Sequence, residues 1–255
     1  MSYFIDVQGT LLDDIDRKPI PGACEFIAHL NQEKIPYVVV TNNTKIKSDV
    51  FHQHLCDLGL DIPAKNYLDP FMVLKKNIKE RDVAVFGADE FVKTLSAMGF
   101  DTQTKNPKAM LIASKKDFSS DDYAAMIETA LHDVNIIGMH ATSIYAKDGK
   151  RYPGVGAILE MLRYATSKDY RVIGKPSPAF YNEALGLLQE QSKQEMTFKE
   201  VTMISDDAIG DLCGIKELGS QTILVLSGKC QSIDEIKPIK DYIDDVVLDI
   251  GHIKR

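Results

Sequence analysis

Four short apolar runs in this chain stop abruptly at a chemistry-bearing residue, and no other feature constrains the fold as much. Tyr3-Phe4-Ile5 ends at Asp6, with Gly9 and Thr10 close behind; Val38-Val39-Val40 ends at Thr41. Val172-Ile173 runs into Gly174-Lys175-Pro176, and the run from Val201 to Ile204 ends at Ser205 and Asp206. A continuous apolar run of this length reads as a strand buried on both faces. A carboxylate, hydroxyl or amine at its C-terminal end lies where open α/β sheets bind their ligands.

Segments with helical periodicity separate such runs almost throughout. Strands are expected at 3–6, 36–41, 82–86, 109–113, 171–174, 201–205, 221–226 and 245–248. Helices are expected at 21–33, 45–58, 70–79, 89–98, 119–132, 154–167, 178–191 and 207–218. The alternation predicts parallel α/β units, and no self-similar period points to a solenoid.

The 255 residues, 44% hydrophobic and 26% charged, suffice for one sizeable core plus a smaller inserted domain. A net charge of −7 disfavours nucleic acid or an anionic membrane as partner. A phosphorylated ligand would therefore need local positive charge from a metal, a lysine or helix N-termini. Cys24, Cys56, Cys213 and Cys230 show no zinc-binding spacing and are expected as reduced thiols. With no leader-like segment at the N-terminus and no apolar stretch of membrane-spanning length, the expected location is cytoplasmic.

The candidate chemical residues form two blocks. Asp6 and Thr41 come early, Lys175, Asp206 and Asp211 come late, and 81–173 adds strands and helices without such a group. That layout suggests a catalytic core of 1–80 and 174–255 interrupted by an inserted domain, 81–173. At the second strand end, Thr41, Asn42 and Asn43 offer a hydroxyl and amides able to bind phosphoryl oxygens; Asn43 or Thr44 would also cap the following helix. Lys175, its approach fixed by two prolines, could balance charge on a transferred phosphoryl group. Asp206, Asp207 and Asp211 crowd one strand end, where they repel one another unless a cation intervenes, and hard oxygen ligands suit Mg²⁺. Asp207 would in any case favour a helix N-terminus. His52 and His54, two apart on a helix, diverge too far to share a ligand. Asp13, Asp14 and Asp16 read as a solvated loop.

Taken in order, Asp6-Val7-Gln8-Gly9-Thr10, Thr41-Asn42-Asn43, Gly174-Lys175-Pro176-Ser177-Pro178 and Asp206 with Asp211 resemble the four motifs of the haloacid dehalogenase-like hydrolases. Thr-Asn-Asn and Gly-Lys-Pro-Ser-Pro are similar to the class IIA branch, which holds nitrophenyl-phosphatase-like, sugar-phosphate and nucleotide phosphatases. Segments 85–90 and 151–158 look like landmarks of that branch's cap, and the resemblance extends to about residue 230. It implies an α/β fold: a Rossmann-like parallel-sheet core with an inserted α/β cap. It also implies a Mg²⁺-dependent phosphatase acting on a small phosphorylated metabolite through an aspartyl-phosphate on Asp6. Mg²⁺ would be held by Asp6, the backbone carbonyl of Gln8 and Asp206, with Asp211 in support. Thr41, Asn42, Asn43 and Lys175 would take the phosphoryl group, and class IIA caps often pair, which implies a homodimer.

The chain departs from the motifs at two places. Ser205 replaces the usual glycine before Asp206, and Gln8 replaces the aspartate that acts as general acid/base. A carboxamide cannot carry a proton to a leaving group. Three readings follow: a slow phosphatase or one favouring good leaving groups, a phosphate-ligand binding or regulatory protein with vestigial catalysis, or a related reaction whose proton is handled elsewhere.

Overall fold

The computed structural model describes residues 2–147 and 150–254. Its strands in chain order are β1 (Ser2–Ile5), β2 (Tyr37–Val40), β3 (Tyr67–Leu68), β4 (Val83–Phe86), β5 (Ala109–Ile112), β6 (Asn135–Gly138), β7 (Ile144–Lys147), β8 (Lys150–Pro153), β9 (Tyr170–Val172), β10 (Val201–Ser205), β11 (Gln221–Val225) and β12 (Asp245–Val247). The chain forms two compact units. One comprises the segment ending at Thr41, Asp49–Leu68 and everything from Pro178; the other comprises Asn42–Ser48 and Asp69–Ser177. The boundaries expected at 80/81 and 173/174 thus fall inside the second unit.

The first unit is built on one parallel sheet in the order β12-β11-β10-β1-β2-β3. Successive side chains of a strand face opposite ways, and β1 uses both faces. Tyr3 packs edge-on against Phe26 of helix Ala23–Gln32, while Phe4 stacks on Tyr181 of helix Pro178–Ser192. Both faces being covered, all four residues of β1, of β2 and all five of β10 are buried.

The second unit carries a parallel sheet β4-β5-β6-β9 and an antiparallel hairpin β7-β8. Its core joins Met110 and Ile112 of β5 to Met126 and Ala130 of helix Ser120–Leu131 and to Ile158, Leu159 and Leu162 of helix Val155–Thr166. No helix among the described residues is long and apolar enough to cross a membrane.

Five local expectations are corrected. β3, β6 and the β7-β8 hairpin were not expected from the sequence. β3 has two residues, β6 is a four-residue run that opens on the polar Asn135, and the hairpin strands carry charged residues rather than an apolar run. The helix expected at 45–58 begins only at Ser48, because Asn43 Oδ1 accepts from the backbone N–H groups of Lys45 and Ile46 and turns the chain first. The helix expected at 207–218 opens with a π-type turn, Ala208–Leu212, before the α-helix Cys213–Glu217.

Candidate active site

In the first unit the direction of chain progression reverses beside β1: β2 and β3 follow on one side, β10 to β12 on the other. Ligands of open α/β sheets bind outside the strand C-termini at such a reversal. The residues leaving those two strand ends are Asp6 and Asp206, each 5% exposed. The Asp206 backbone N–H donates to the Thr10 hydroxyl at 3.1 Å, and the Asp6 N–H to the Ile204 carbonyl at 2.9 Å. Two glycines permit the approach. Gly9 has φ +71°, and a Cβ there would strike the Asp206 carboxylate and come within 2.9 Å of Gly228 Cα. A Cβ on Gly228 would strike the same carboxylate and lie 2.5 Å from Gly9 Cα.

Burial raises the Asp206 carboxyl well above the ordinary carboxylate range, and the charge of Asp6 raises it further. A hydrogen bond from the Lys229 backbone N–H to Asp206 Oδ2, 2.6 Å, works the other way. Behind this pair, Ser205 Oγ donates to Asp211 Oδ2 at 2.7 Å and accepts from the Asp207 N–H at 3.1 Å. Asp207 caps the π-type turn through Gly210 N–H and pairs with the Lys229 ammonium at 2.8 Å. The serine that replaces glycine in the motif therefore gives Asp211 a buried partner.

Gln8 lies on a tight loop in which the N–H groups of Thr10, Leu11 and Leu12 all point at the Val7 carbonyl and Gly9 N–H donates to Leu12. The fully buried Thr41 donates its hydroxyl to Gln8 Oε1 at 3.1 Å. Thus the ends of β1 and β2 are joined by side chains as well as by the sheet.

Asn42, Asn43 and Lys175 belong to the second unit. Lys175 is 3% exposed; its backbone N–H donates to Asn42 Oδ1 at 2.9 Å, and its carbonyl accepts from Asn42 Nδ2 at 3.4 Å and from Ala141 N–H at 3.2 Å. The Lys175-Pro176 peptide is cis. Asn43 Nδ2 donates to Ile46 O at 2.6 Å and to Asp69 Oδ2 at 3.2 Å, while Asp69 Oδ1 caps helix Pro70–Asn77 through the N–H groups of Phe71 and Met72. The side chain of Asn43 is thereby engaged in holding its own loop. Nearby, His140 is buried, with Nδ1 accepting from Thr142 N–H and Nε2 3.0 Å from Ser114 Oγ. Burial, and then the charges of Lys45 and Lys175, push its imidazole down to about 4. With Nδ1 accepting, the proton of the neutral ring sits on Nε2 and is donated to Ser114.

Two family models match this chain: haloacid dehalogenase-like hydrolase over residues 3–101 and HAD-hydrolase-like over residues 172–251. The chain belongs to the haloacid dehalogenase-like hydrolases. It is 25% identical over 232 residues to dihydroxyacetone phosphatase of Corynebacterium glutamicum, covering 89% of this chain and 82% of that one. It is 25% identical over 251 residues to the mouse phospholysine phosphohistidine inorganic pyrophosphate phosphatase, covering 95% and 90%. Its fold matches that of p-nitrophenyl phosphatase from Archaeoglobus fulgidus with a TM-score of 0.83 at 22% identity, over 98% of this chain and 96% of that one.

Asp6 and Asp206 are two carboxylates that could hold a divalent cation. The donor set fits a hard ion: two buried carboxylates whose mutual repulsion a positive charge would relieve. Among the described residues no group of three or more His, Cys, Asp or Glu side chains gathers as a metal cage. A Mg²⁺ site needs no such cage, since this ion keeps several waters and binds through one or two carboxylates plus substrate oxygens. Sequence reasoning missed Thr10, Lys229, Asp69 and His140. Thr10 and Lys229 reach the site through bonds spanning 196 and 23 positions, which no local pattern displays.

Proposed function

We propose that this chain is a Mg²⁺-dependent phosphatase of small phosphorylated metabolites, restricted by Gln8 to substrates whose leaving groups depart without a proton. The observation that carries the reading is the pairing of the buried Asp6 and Asp206 at the sheet's reversal point, with a carboxamide at position 8. Asp6, Asp206 and the backbone carbonyl of residue 8 would hold the metal, which supplies charge neutralisation for phosphoryl transfer. Ser205 and Asp211 stiffen the strand end behind it.

An Asp6 oxygen attacks phosphorus, the bond to the leaving oxygen breaks, and that oxygen takes the electron pair. Water then attacks the aspartyl-phosphate, the Asp6–phosphorus bond breaks, and the water's proton passes to solvent. Asn42 and Lys175 are assigned the phosphoryl oxygens, Thr41 gives its hydroxyl hydrogen to Gln8, and Asn43 holds its own turn. Gln8 neither gives nor takes a proton in either step. Losing a positioned acid/base costs about 10²–10⁴-fold, least for aryl phosphates, acyl phosphates and phosphoanhydrides. Inorganic pyrophosphate, an anhydride of this class, stands in the mouse relative's name.

The test is turnover across a panel of alkyl, aryl and anhydride phosphates with Mg²⁺, alongside calorimetric binding of inorganic phosphate. Turnover of the aryl and anhydride members supports the reading. Phosphate binding with no turnover of any member makes the chain a binding or regulatory protein instead. The reading includes a cytoplasmic setting, in keeping with four free cysteines. It also includes self-association through the second unit, which exposes Leu131 and Tyr164; sedimentation as a monomer at micromolar concentration would remove that part.

A further inference from the structure

We propose that Gln8 is a working hydrogen-bond donor: its carboxamide nitrogen, aimed by Thr41, binds the leaving oxygen of the phosphate ester as negative charge builds on it. This rests on the phosphatase reading and adds a role for the residue that the motif comparison leaves without one.

A primary carboxamide is an acceptor at one end and a double donor at the other. Thr41, fully buried, gives its hydroxyl hydrogen to the oxygen end at 3.1 Å. Fixing that end fixes the other. Among the described residues the nitrogen finds no acceptor, and it is not one of the polar atoms sealed from water, so its N–H groups open to solvent on a half-buried side chain. Its backbone is equally restrained, since three consecutive N–H groups converge on the Val7 carbonyl. The donor is held in place before a ligand arrives, the condition under which an oriented dipole lowers a barrier.

Its chemistry differs from that of a carboxylic acid. The amide stabilises an anionic oxygen without transferring a proton, so the leaving group still departs with its electron pair and no proton. It is neutral, so it adds no repulsion beside the carboxylates of Asp6 and Asp206. It also has no titration in the working range, so its help does not fade with pH. Help of this kind grows with the charge that accumulates on the leaving oxygen. Gln8 therefore widens the range of leaving groups the site can expel, without reaching simple alkoxides.

The experiment compares the full chain with Gln8→Met, which keeps length and loses both donors, and with Gln8→Ala, which cannot overpack the loop. Each is assayed with Mg²⁺ on aryl phosphates of graded leaving-group acidity, and binding of inorganic phosphate is measured by calorimetry. A hydrogen bond to a charged oxygen predicts a fall of about tenfold or more in kcat/KM in both variants. The fall should be larger for more basic leaving groups, so the dependence on leaving-group acidity steepens, while phosphate affinity changes little. Equal kcat/KM in all three proteins would make Gln8 inert and overturn the inference. A uniform fall matched by weaker phosphate binding would also overturn it, because the donor would then serve the non-leaving oxygens. Failure of the phosphatase reading looks different: the unmodified chain would turn over no ester, and the inference would fall with it.

Discussion

The Asp206 backbone N–H rests on the Thr10 hydroxyl at 3.1 Å, joining the fourth motif to the first across 196 residues. Thr10 is fully buried, so this contact is shielded from water. Thr10→Val preserves shape and removes the acceptor, leaving a buried N–H without its partner. Urea unfolding should show a loss of ~1–3 kcal/mol. A variant as stable as the original would mean that the amide finds another acceptor.

Asp206→Ala should weaken Mg²⁺ binding by a large factor, because a hard cation loses one of its few anionic ligands. The same change removes a buried carboxyl whose charged form is disfavoured by burial and by Asp6, so folding stability should hold or rise while metal affinity falls. Calorimetry with Mg²⁺ alone reads the first effect, and undiminished affinity would remove Asp206 from the metal site.

Gln8→Asp places a group able to protonate an alkoxide where the amide now stands. Turnover of alkyl phosphates should rise by about tenfold or more, given the usual size of general acid–base effects. Aryl phosphates should gain less, since their leaving groups need little protonation. Equal or lower alkyl-phosphate turnover in a folded, Mg²⁺-binding variant would place the deficit elsewhere in the site.

His140 should make the protein sensitive to mild acid. Its folded-state value of about 4 lies below the ordinary 6.5, so between those values the unfolded chain binds more protons. The stabilisation from keeping the ring neutral is complete above the upper value and is lost progressively as pH falls toward the lower one. In His140→Asn the slope of melting temperature against pH should flatten across that window. The same slope in both proteins would assign the acid sensitivity to another group.

Much of this was legible because the first unit's central strands are buried on both faces. Such strands must be nearly all apolar, so β1, β2 and β10 stood out as runs, and the residues that end them stood out with them. The hairpin β7-β8 was hidden by its charged residues, and β3 by its two-residue length. The start of the helix at Ser48 was obscured because Asn43 bonds forward into its own turn rather than capping. The partners of the carboxylates were hidden for a different reason. Thr10 and Lys229 are ordinary residues locally and acquire meaning only once β10 lies between β1 and β11.

That neighbouring of β1 and β10 also sets the order in which the protein can be made. A ribosome releases β1, β2 and β3, and then the whole of Asp69–Ser177, before Val201 exists. Until then one edge of β1 carries unpaired backbone donors and acceptors, an invitation to pairing with the wrong strand. The second unit, whose sheet lies wholly within residues 83–172, has no such wait. A stalled nascent chain ending at residue 200 should therefore be cut readily by protease in its first 41 residues and resist cutting between 83 and 172. The two carboxylates come together only once Asp206 has been made, so a product truncated before it carries Asp6 without its neighbour.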